Sequence, residues 1–277
     1  MSHIELTVLG GGNMGRALIG GLLRRGMRPE QIAVGESHEA ARARLTRELG
    51  ISATADNAAA IRHADLVLLA VKPQDARSIL EALAPHLQER RPLVLSIAAG
   101  VRVQTLRQWC GPGVPVIRAM PNRPALVGAG ATGIFAPPEV APAQRAMAGE
   151  IMQSVGEVVW VPTEDALDAV TAVSGSGPAY FFLFTEILAQ AGAHLGLEPE
   201  AARRLSIATL HGAGLLAHGG DGDLARLRAE VTSKGGTTEA AVRTLQAAGF
   251  DQLITRAVEA AARRSRELAE QAGGRSS

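Results

Sequence analysis

The stretch Ile4–Gly15, IELTVLGGGNMG, decides the fold class of this chain. Its first six residues form a short apolar run, which predicts a buried strand. A Gly-x-Gly-x-x-Gly pattern follows at once, and residues 16–25 then carry apolar side chains at helical spacing. Strand, glycine-rich turn and helix, in this order, form the context of a dinucleotide-binding fingerprint. Gly10 would make the tight turn, Gly12 would admit a pyrophosphate, and Gly15 would let the helix pack on the strand.

Strand and helix patterns alternate as far as residue 162. Strands are predicted at 32–34, 65–71, 93–97, 116–120, 131–135 and 157–161, and helices at 40–49, 56–63 and 76–87. This alternation predicts a mostly parallel sheet, which binds ligands at the carboxyl ends of its strands. Lys72, Ala99 and Asn122 fall at such ends, although Lys72 is equally typical of a solvated loop.

The end of the second predicted strand bears on the choice of cofactor. Glu36 follows that strand about 20 residues after Gly15, where an acid usually binds the adenosine ribose hydroxyls. Such an acid favours NAD and repels the 2′-phosphate of NADP. Four neighbouring side chains could instead hold a phosphate, or simply begin an exposed helix: Ser37, His38, Arg42 and Arg44. The residues leave both cofactors open.

From residue 163 onward the patterns are helical only. They predict helices at 165–173, 179–194, 200–218, 224–230, 239–248 and 250–271. Ser174–Pro178 interrupts the first of these patterns, and Pro178 suits a helix start. The composition change predicts two domains, 1–162 and 163–277. Many Ala and Gly residues on the helices would allow close packing against a second copy, giving a homodimer, although an Ala-rich monomeric bundle is the alternative.

The stretch Val231–Thr238, VTSKGGTT, lies between two of these helices. Its adjacent glycines allow a tight turn with accessible N–H groups. Thr237 and Thr238 stand where the next helix begins, and the first N–H groups of a helix lack internal partners. Together with the positive end of the helix dipole, they could bind a carboxylate or a phosphate. A plain Gly-Gly turn followed by a threonine N-cap is the alternative.

Composition and charge exclude several classes of protein. The 277 residues are 47% hydrophobic and carry a net charge of +1, so no strong field attracts nucleic acid or an anionic membrane. A single cysteine, Cys110, excludes an internal disulfide and lies in a predicted turn, 109–113. No metal-binding pattern is evident. Without a secretory pattern or a membrane-length apolar run, we expect a cytoplasmic protein.

Five motifs occur in a fixed order: Gly10–Gly15, Ala70–Gln74, Arg118–Asn122, Ala172–Tyr180 and Val231–Thr238. Together they resemble the pyrroline-5-carboxylate reductase family, over about residues 4–270. The last two motifs are specific to that family. The resemblance implies a Rossmann-type α/β domain followed by an all-α dimerisation domain, often arranged as a ring of dimers. It also implies hydride transfer from NADPH, less often NADH, to C5 of 1-pyrroline-5-carboxylate, giving L-proline.

The resemblance also implies the residues of the site. With the fingerprint, it predicts these cofactor-binding residues: Gly10, Gly12, Asn13, Met14, Gly15, Ser37, Asn57, Ala70, Val71, Lys72, Pro73, Ala98, Ala99 and Asn122. The substrate carboxylate would lie on five residues: Ser233, Gly235, Gly236, Thr237 and Thr238. Catalytic roles are predicted for Thr238, Ser233 and Lys72, with Thr238 relaying a proton through water.

Two departures from the family pattern and two rival functions accompany this prediction. Many members have proline where this chain has Lys234, and many NADPH users have Asn-Arg-Ser at Gly35–Ser37. A β-hydroxyacid dehydrogenase would need a lysine on the helix that links the domains, and residues 166–194 contain none. A non-catalytic NADP-sensing module would not need the Ser233–Thr238 stretch.

Overall fold

The computed structural model describes residues 4–220 and 222–273, which form two compact units. The first unit runs to Gly175 and includes the chain again from Ala261, whereas the second is Ser176–Ala260. The predicted domain boundary at 162/163 falls just after the last strand, and it stays a prediction.

The first unit is built on one eight-stranded sheet. Its strands are β1 (Leu6–Leu9), β2 (Ile32–Gly35), β3 (Ala53–Thr54), β4 (Leu66–Leu69), β5 (Leu93–Ser96), β6 (Val116–Met120), β7 (Gly130–Phe135) and β8 (Gly156–Trp160). The order is β3-β2-β1-β4-β5-β6-β7-β8, and only the pairing of β6 with β7 is antiparallel. Leu9 lies opposite both Gly35 and Leu69, and Leu69 lies opposite Ser96. Four carboxyl strand ends therefore meet at one edge, as the alternation predicts.

The sheet is buried on both faces, because residues that alternate along a strand point to opposite sides. On β4, Leu66 and Leu68 belong to one apolar cluster, and Val67 and Leu69 belong to the other. Both faces are covered by the helices of this unit: α1 (Asn13–Arg24), α2 (Glu39–Leu49), α3 (Asn57–Ile61), α4 (Pro73–Arg90), α5 (Val103–Cys110) and α6 (Pro142–Gln153).

The turn predicted at 109–113 is wrong at its first two residues, since Trp109 and Cys110 end α5. Val103, Leu106 and Cys110 recur at helical spacing and are all buried, so tertiary packing extends the helix to the glycine that follows. Burial raises the pKa of the Cys110 thiol to about 12, which suppresses its thiolate at neutral pH. Cys110 therefore serves packing. Strand β3 and helices α5 and α6 were not predicted.

A chain of polar contacts joins four elements of the first unit. Arg118 of β6 donates to Glu164 at 2.6 Å, and Arg102, at the start of α5, donates to Asp168 at 3.0 Å. Asp168 is nearly buried and also accepts the hydroxyl of Ser265 at 2.6 Å. Because Asp168 lies on α7 (Ala166–Val170) and Ser265 on α12 (Phe250–Gly273), these contacts hold the end of the last helix to the sheet domain.

The interruption predicted near Ser174 is a widened helical turn. A π-helical turn, Thr171–Gly175, follows α7, and α8 (Gly177–His194) starts directly afterwards. Pro178 lies in the first turn of α8, as predicted. Single π-turns inside α-helices are frequent at functional sites.

The second unit is helical throughout its described residues. After α8 it contains α9 (Pro199–Gly219), α10 (Leu224–Glu230), α11 (Thr237–Ala247) and the first part of α12. A Cβ on Gly192 would lie 3.3 Å from Cβ of Ala202, so the small residues do let α8 and α9 approach closely. The unit nevertheless leaves large apolar side chains exposed: Phe181, Phe182, Leu183, Ile187, Leu205, Leu215 and Leu216.

Within residues 4–220 and 222–273, no helix is both long enough and apolar enough to cross a bilayer. The same residues contain no group of three histidine, cysteine or acidic side chains arranged to hold a metal ion.

Candidate active site

The glycine-rich turn after β1 has the backbone that a dinucleotide site requires. Gly10 has φ +103°, and a Cβ there would lie 2.5 Å from the carbonyl oxygen of Ala70. A Cβ on Gly15 would lie 2.3 Å from the carbonyl oxygen of Gly10. Both positions therefore need glycine, for the turn and for the packing of α1 on β1.

The amino end of α1 offers free donors to a phosphate. Gly12 is the N-cap residue and has no side chain to bond the N–H groups of Asn13 and Met14. The first turn contains no acid, and the space before Gly12 is open, since a Cβ there would meet nothing within 4 Å. Unpaired N–H groups and the helix dipole make this end suited to a pyrophosphate. The residues present thus fit a dinucleotide cofactor.

Glu36 contacts this turn directly. Its carboxylate accepts the N–H of Gly11 at 2.7 Å and the N–H of His38 at 2.8 Å. Partial burial by itself would raise the pKa of Glu36, but these hydrogen bonds together outweigh it and hold the pKa below its usual value. The side chain is therefore an anion at neutral pH, next to the position that the fingerprint assigns to the adenosine ribose.

Three of the four predicted phosphate ligands lie together at this strand end. The Ser37 hydroxyl lies 3.2 Å from Nδ1 of His38, and Arg42 donates to the carbonyl of Ser37 at 2.7 Å. Arg44 is separate, because its guanidinium donates to Glu48 on the same helix at 2.8 Å. Asn57 completes this side, since its amide oxygen lies against Gly35.

The predicted nicotinamide-side residues follow β4, β5 and β6 at the same edge. Lys72 is exposed at the N-cap of α4, and Pro73 begins that helix. Ala98 is buried and its N–H bonds to Ser96, so of the pair Ala98 and Ala99 only Ala99 is exposed. Ala70 and Val71 are half-buried beside them.

Asn122 is buried, and each end of its side-chain amide has a partner. Its nitrogen donates to the carbonyl of Ser174 at 3.0 Å, and its oxygen accepts the N–H of Ala131 at 2.8 Å. Asn122 therefore ties the end of β6 to the start of β7 and to the π-turn.

The predicted carboxylate corner lies wholly in the second unit. Gly235 has φ +73°, and Gly236 is the N-cap of α11, which begins at Thr237 as expected. The threonine N-cap alternative is wrong, because α11 has no side-chain cap. A Cβ on Gly236 would lie 2.4 Å from the hydroxyl of Ser233, so the Ser233 side chain lies over that glycine. The N–H groups of Thr237 and Thr238 are thus free for an anion.

Sequence reasoning missed Glu239 at this corner. Its carboxylate accepts the N–H of Gly235 at 2.6 Å, so Gly235 does not have a free donor. The position three residues into a helix is where an acid commonly reaches back to the preceding backbone. That spacing was visible in the sequence and could have revealed the contact.

Comparison with known proteins identifies the family. The model for "Pyrroline-5-carboxylate reductase dimerisation" matches residues 164–268, and the model for "NADP oxidoreductase coenzyme F420-dependent" matches residues 5–100. The pyrroline-5-carboxylate reductase of Pseudomonas aeruginosa is 45% identical over 273 residues, covering 99% of this chain and 100% of that protein. This chain belongs to the pyrroline-5-carboxylate reductase family.

Solved structures agree with this assignment. A pyrroline-5-carboxylate reductase of Coxiella burnetii matches with a TM-score of 0.93 and 39% identity, covering 96% of this chain and 98% of the other. A Plasmodium falciparum pyrroline carboxylate reductase with NADP bound matches at 0.82 and 29%, covering 97% and 99%. The predicted family and fold class are confirmed, and the chain is an oxidoreductase of this family with a domain for a nicotinamide cofactor.

Proposed function

We propose that this chain reduces the C5=N bond of 1-pyrroline-5-carboxylate to give L-proline, the last step of proline biosynthesis. The observation that carries the proposal is that two helices, α1 and α11, each begin after a glycine N-cap with no side-chain cap, and that the turns before them differ. The start of α1 follows a dinucleotide turn, and the start of α11 follows the Ser233–Gly236 turn. The first suits a pyrophosphate and the second a small carboxylate.

The chain's own residues mainly bind and orient the reactants. A bound nicotinamide cofactor supplies the hydride. The N–H groups of Asn13 and Met14 would hold its pyrophosphate, and Ala99 and Lys72 would line the nicotinamide side. The N–H groups of Thr237 and Thr238 would hold the substrate carboxylate, with the Ser233 hydroxyl beside them. A protonated imine accepts hydride at C5 without further activation, so fixing the distance between the reacting carbons contributes most of the rate.

NADPH is the favoured cofactor in this proposal, with NADH also accepted. The hydroxyl of Ser37, the imidazole of His38 and the guanidinium of Arg42 lie together beside the adenosine side, where they suit a 2′-phosphate. The anionic Glu36 carboxylate opposes that phosphate and suits ribose hydroxyls. With these groups side by side, we expect a moderate preference rather than a strict one.

Self-association belongs to the same proposal. The exposed Phe181, Phe182 and Leu216 lie in the stretch that matches the dimerisation model. Water-exposed apolar surface of this extent favours burial against another copy. We propose a homodimer through these helices, with a ring of dimers as the larger assembly. A cytoplasmic location without nucleic-acid or membrane partners stays a prediction.

The decisive assay follows NADPH, and separately NADH, by absorbance after 1-pyrroline-5-carboxylate is added to the purified chain. Turnover with either cofactor, and L-proline as the product, is the expected result. Cofactor binding without turnover would refute the reductase and favour an NADP-sensing module. Reduction of NADP⁺ or NAD⁺ by a β-hydroxyacid, without turnover of the imine, would point to that class of dehydrogenase instead.

Thr238 is proposed to relay a proton through water to the imine nitrogen, which gives the protonated imine that accepts hydride, as well as to bind the carboxylate. For Thr238→Ala we expect kcat to fall by about 100-fold or more, the usual size of a lost general acid. Thr244→Ala is the matched control, because the Thr244 hydroxyl bonds only to the carbonyl of Ala240 farther along the same helix. A rise in substrate KM at constant kcat would instead limit Thr238 to binding.

A further inference from the structure

The carbonyl of Ser174 has no helical donor. In an α-helix it would accept the N–H of residue 178, but that residue is proline, which has none. The next N–H along the chain, that of Ala179, donates to the carbonyl of Ser176 at 3.0 Å. The side-chain nitrogen of Asn122 donates to Ser174 at 3.0 Å and so replaces the missing helical donor.

The orientation of the Asn122 amide follows from its two partners. A backbone carbonyl must face the NH₂ group, and a backbone N–H must face the oxygen, as the contacts with Ser174 and Ala131 require. Only 8% of the residue is exposed. A buried amide that is bonded at both ends serves the protein's own geometry first, because leaving either partner unpaired is costly.

The π-turn and Val170, the residue before it, also pack tightly on the strands that Asn122 joins. A Cβ on Gly175 would lie 3.0 Å from the methyl group of Met120, the last residue of β6. A Cβ on Gly133 of β7 would lie 2.6 Å from the Val170 side chain. Asn122 thus fixes the turn at the carboxyl end of β6. That strand neighbours β5, which leads to Ala98 and Ala99.

We propose that Asn122 is a positioning residue for the reduction, which holds the π-turn Thr171–Gly175 through the Ser174 carbonyl and does not bind the cofactor. This inference rests on the proposed function. It reassigns Asn122 from the predicted cofactor ligands and gives a role to the Ser174–Pro178 motif, to which the proposed site assigns none. A wrongly placed turn at this edge would disturb the alignment of the reacting carbons, where a shift of about 1 Å can cost about 100-fold in rate.

The first test is Asn122→Asp, which keeps an acceptor for Ala131 but removes the donor to Ser174. We expect kcat to fall by about 10-fold or more, while the NADPH dissociation constant from fluorescence titration changes by less than about threefold. Asn122→Ser is an uncharged second variant in case the buried carboxylate prevents folding. A rise of about 10-fold or more in the NADPH dissociation constant would overturn the proposal, because it would place Asn122 on the cofactor.

The second test adds Pro178→Ala, which supplies an N–H four residues after Ser174. If Asn122 acts through that carbonyl, Pro178→Ala should restore part of the kcat lost in either Asn122 variant, so the two changes are not additive. Pro142→Ala is the matched control. Pro142 also begins a helix, but the chain before it is extended, with ψ 145° at Ala141. No carbonyl of a preceding helical turn is therefore placed to accept the N–H that Pro142→Ala would add. Strict additivity with Pro178→Ala would overturn the proposal.

Hydrogen exchange separates this inference from the proposed function. Peptides covering residues 171–180 should exchange faster in Asn122→Asp and more slowly once Pro178→Ala is added, whether or not the chain turns over the imine. Unchanged exchange in all variants would overturn the positioning role. Absence of turnover in the unsubstituted chain, with the exchange pattern as expected, would overturn the reductase and leave the contact in place.

Discussion

The Glu36 carboxylate takes part both in the structure of the glycine-rich turn and in the choice between NADPH and NADH. Its carboxylate bonds to Gly11 in the turn that would face the pyrophosphate, yet its charge opposes a 2′-phosphate at the same strand end. Structure and cofactor preference are therefore coupled at this residue. Because its pKa is held below the usual value, any stability that Glu36 contributes is present above about pH 4.3 and is lost as the pH falls through the folded-state pKa.

Glu36→Gln tests the electrostatic part of that coupling. We expect kcat/KM for NADPH to rise about 3- to 10-fold relative to NADH, because the amide keeps an acceptor for Gly11 but loses the repelling charge. The change should shrink at high salt. Glu81→Gln, on α4 in an exposed pair with Arg77, is the control. An unchanged ratio at low salt would show that Glu36 does not face the phosphate.

Glu239→Gln makes the equivalent test at the carboxylate corner. Glutamine can still accept the N–H of Gly235 but no longer repels an anion. The KM for pyrroline-5-carboxylate should fall about two- to fivefold with kcat unchanged, as expected for an exposed like-charge contact. Glu200→Gln, an exposed acid on α9 paired with Arg203, is the control. A higher KM would mean that the Glu239 charge assists binding rather than opposing it.

At the scale of the elements, the helices differ in whether a side chain caps their first N–H groups. α3 is capped by Asp56, and α10 by Asp223, through side chains that accept backbone N–H groups. α1 and α11 have glycine at the same place and no side-chain cap. An uncapped helix start costs stability unless another acceptor replaces the cap. Other helices, α2, α4, α5, α6 and α8, also lack a side-chain cap, but their N-cap residues are not glycine. Ligand anions are proposed at α1 and α11, where the glycine N-cap leaves the first N–H groups accessible.

A single substitution can test how much the contact between α7 and α12 contributes to stability. Asp168→Ala removes the shared partner of Arg102 and Ser265, and we expect a loss of about 1–3 kcal/mol in the free energy of unfolding. Urea denaturation measures it. Glu139→Ala breaks the more exposed pair of Arg107 with Glu139 and should cost less than about 0.5 kcal/mol. Equal losses would show that the Asp168 contacts are no stronger than a surface pair.

For the whole molecule, the exposed apolar helices of the second unit determine the expected assembly. Phe182→Glu places a charge where burial against another copy is proposed, so sedimentation should show monomers in place of dimers. Val127→Glu is the control, because Val127 is even more exposed, at 79% against 61%, but lies in the first unit. Dimers that survive Phe182→Glu would exclude this surface from the interface.

The sequence by itself determined the features that depend on residues close together in the chain. The Gly-x-Gly-x-x-Gly turn, the parallel strands, the restart at Pro178 and the start of α11 at Thr237 follow from local spacing and backbone preference. The family followed from the same motifs, because their order along the chain is itself a property of the sequence.

Only the tertiary structure decided which polar groups meet across the chain. Gly11 and Glu36 are 25 residues apart, and Asn122 and Ser174 are 52 apart. No periodicity links such positions, because their meeting depends on strand order and on the packing of helices over the sheet. The same packing extends α5 over residues predicted to form a turn. Where a side chain finds its partner therefore depends on the folded core, even when its type and place in the sequence already indicate a functional region.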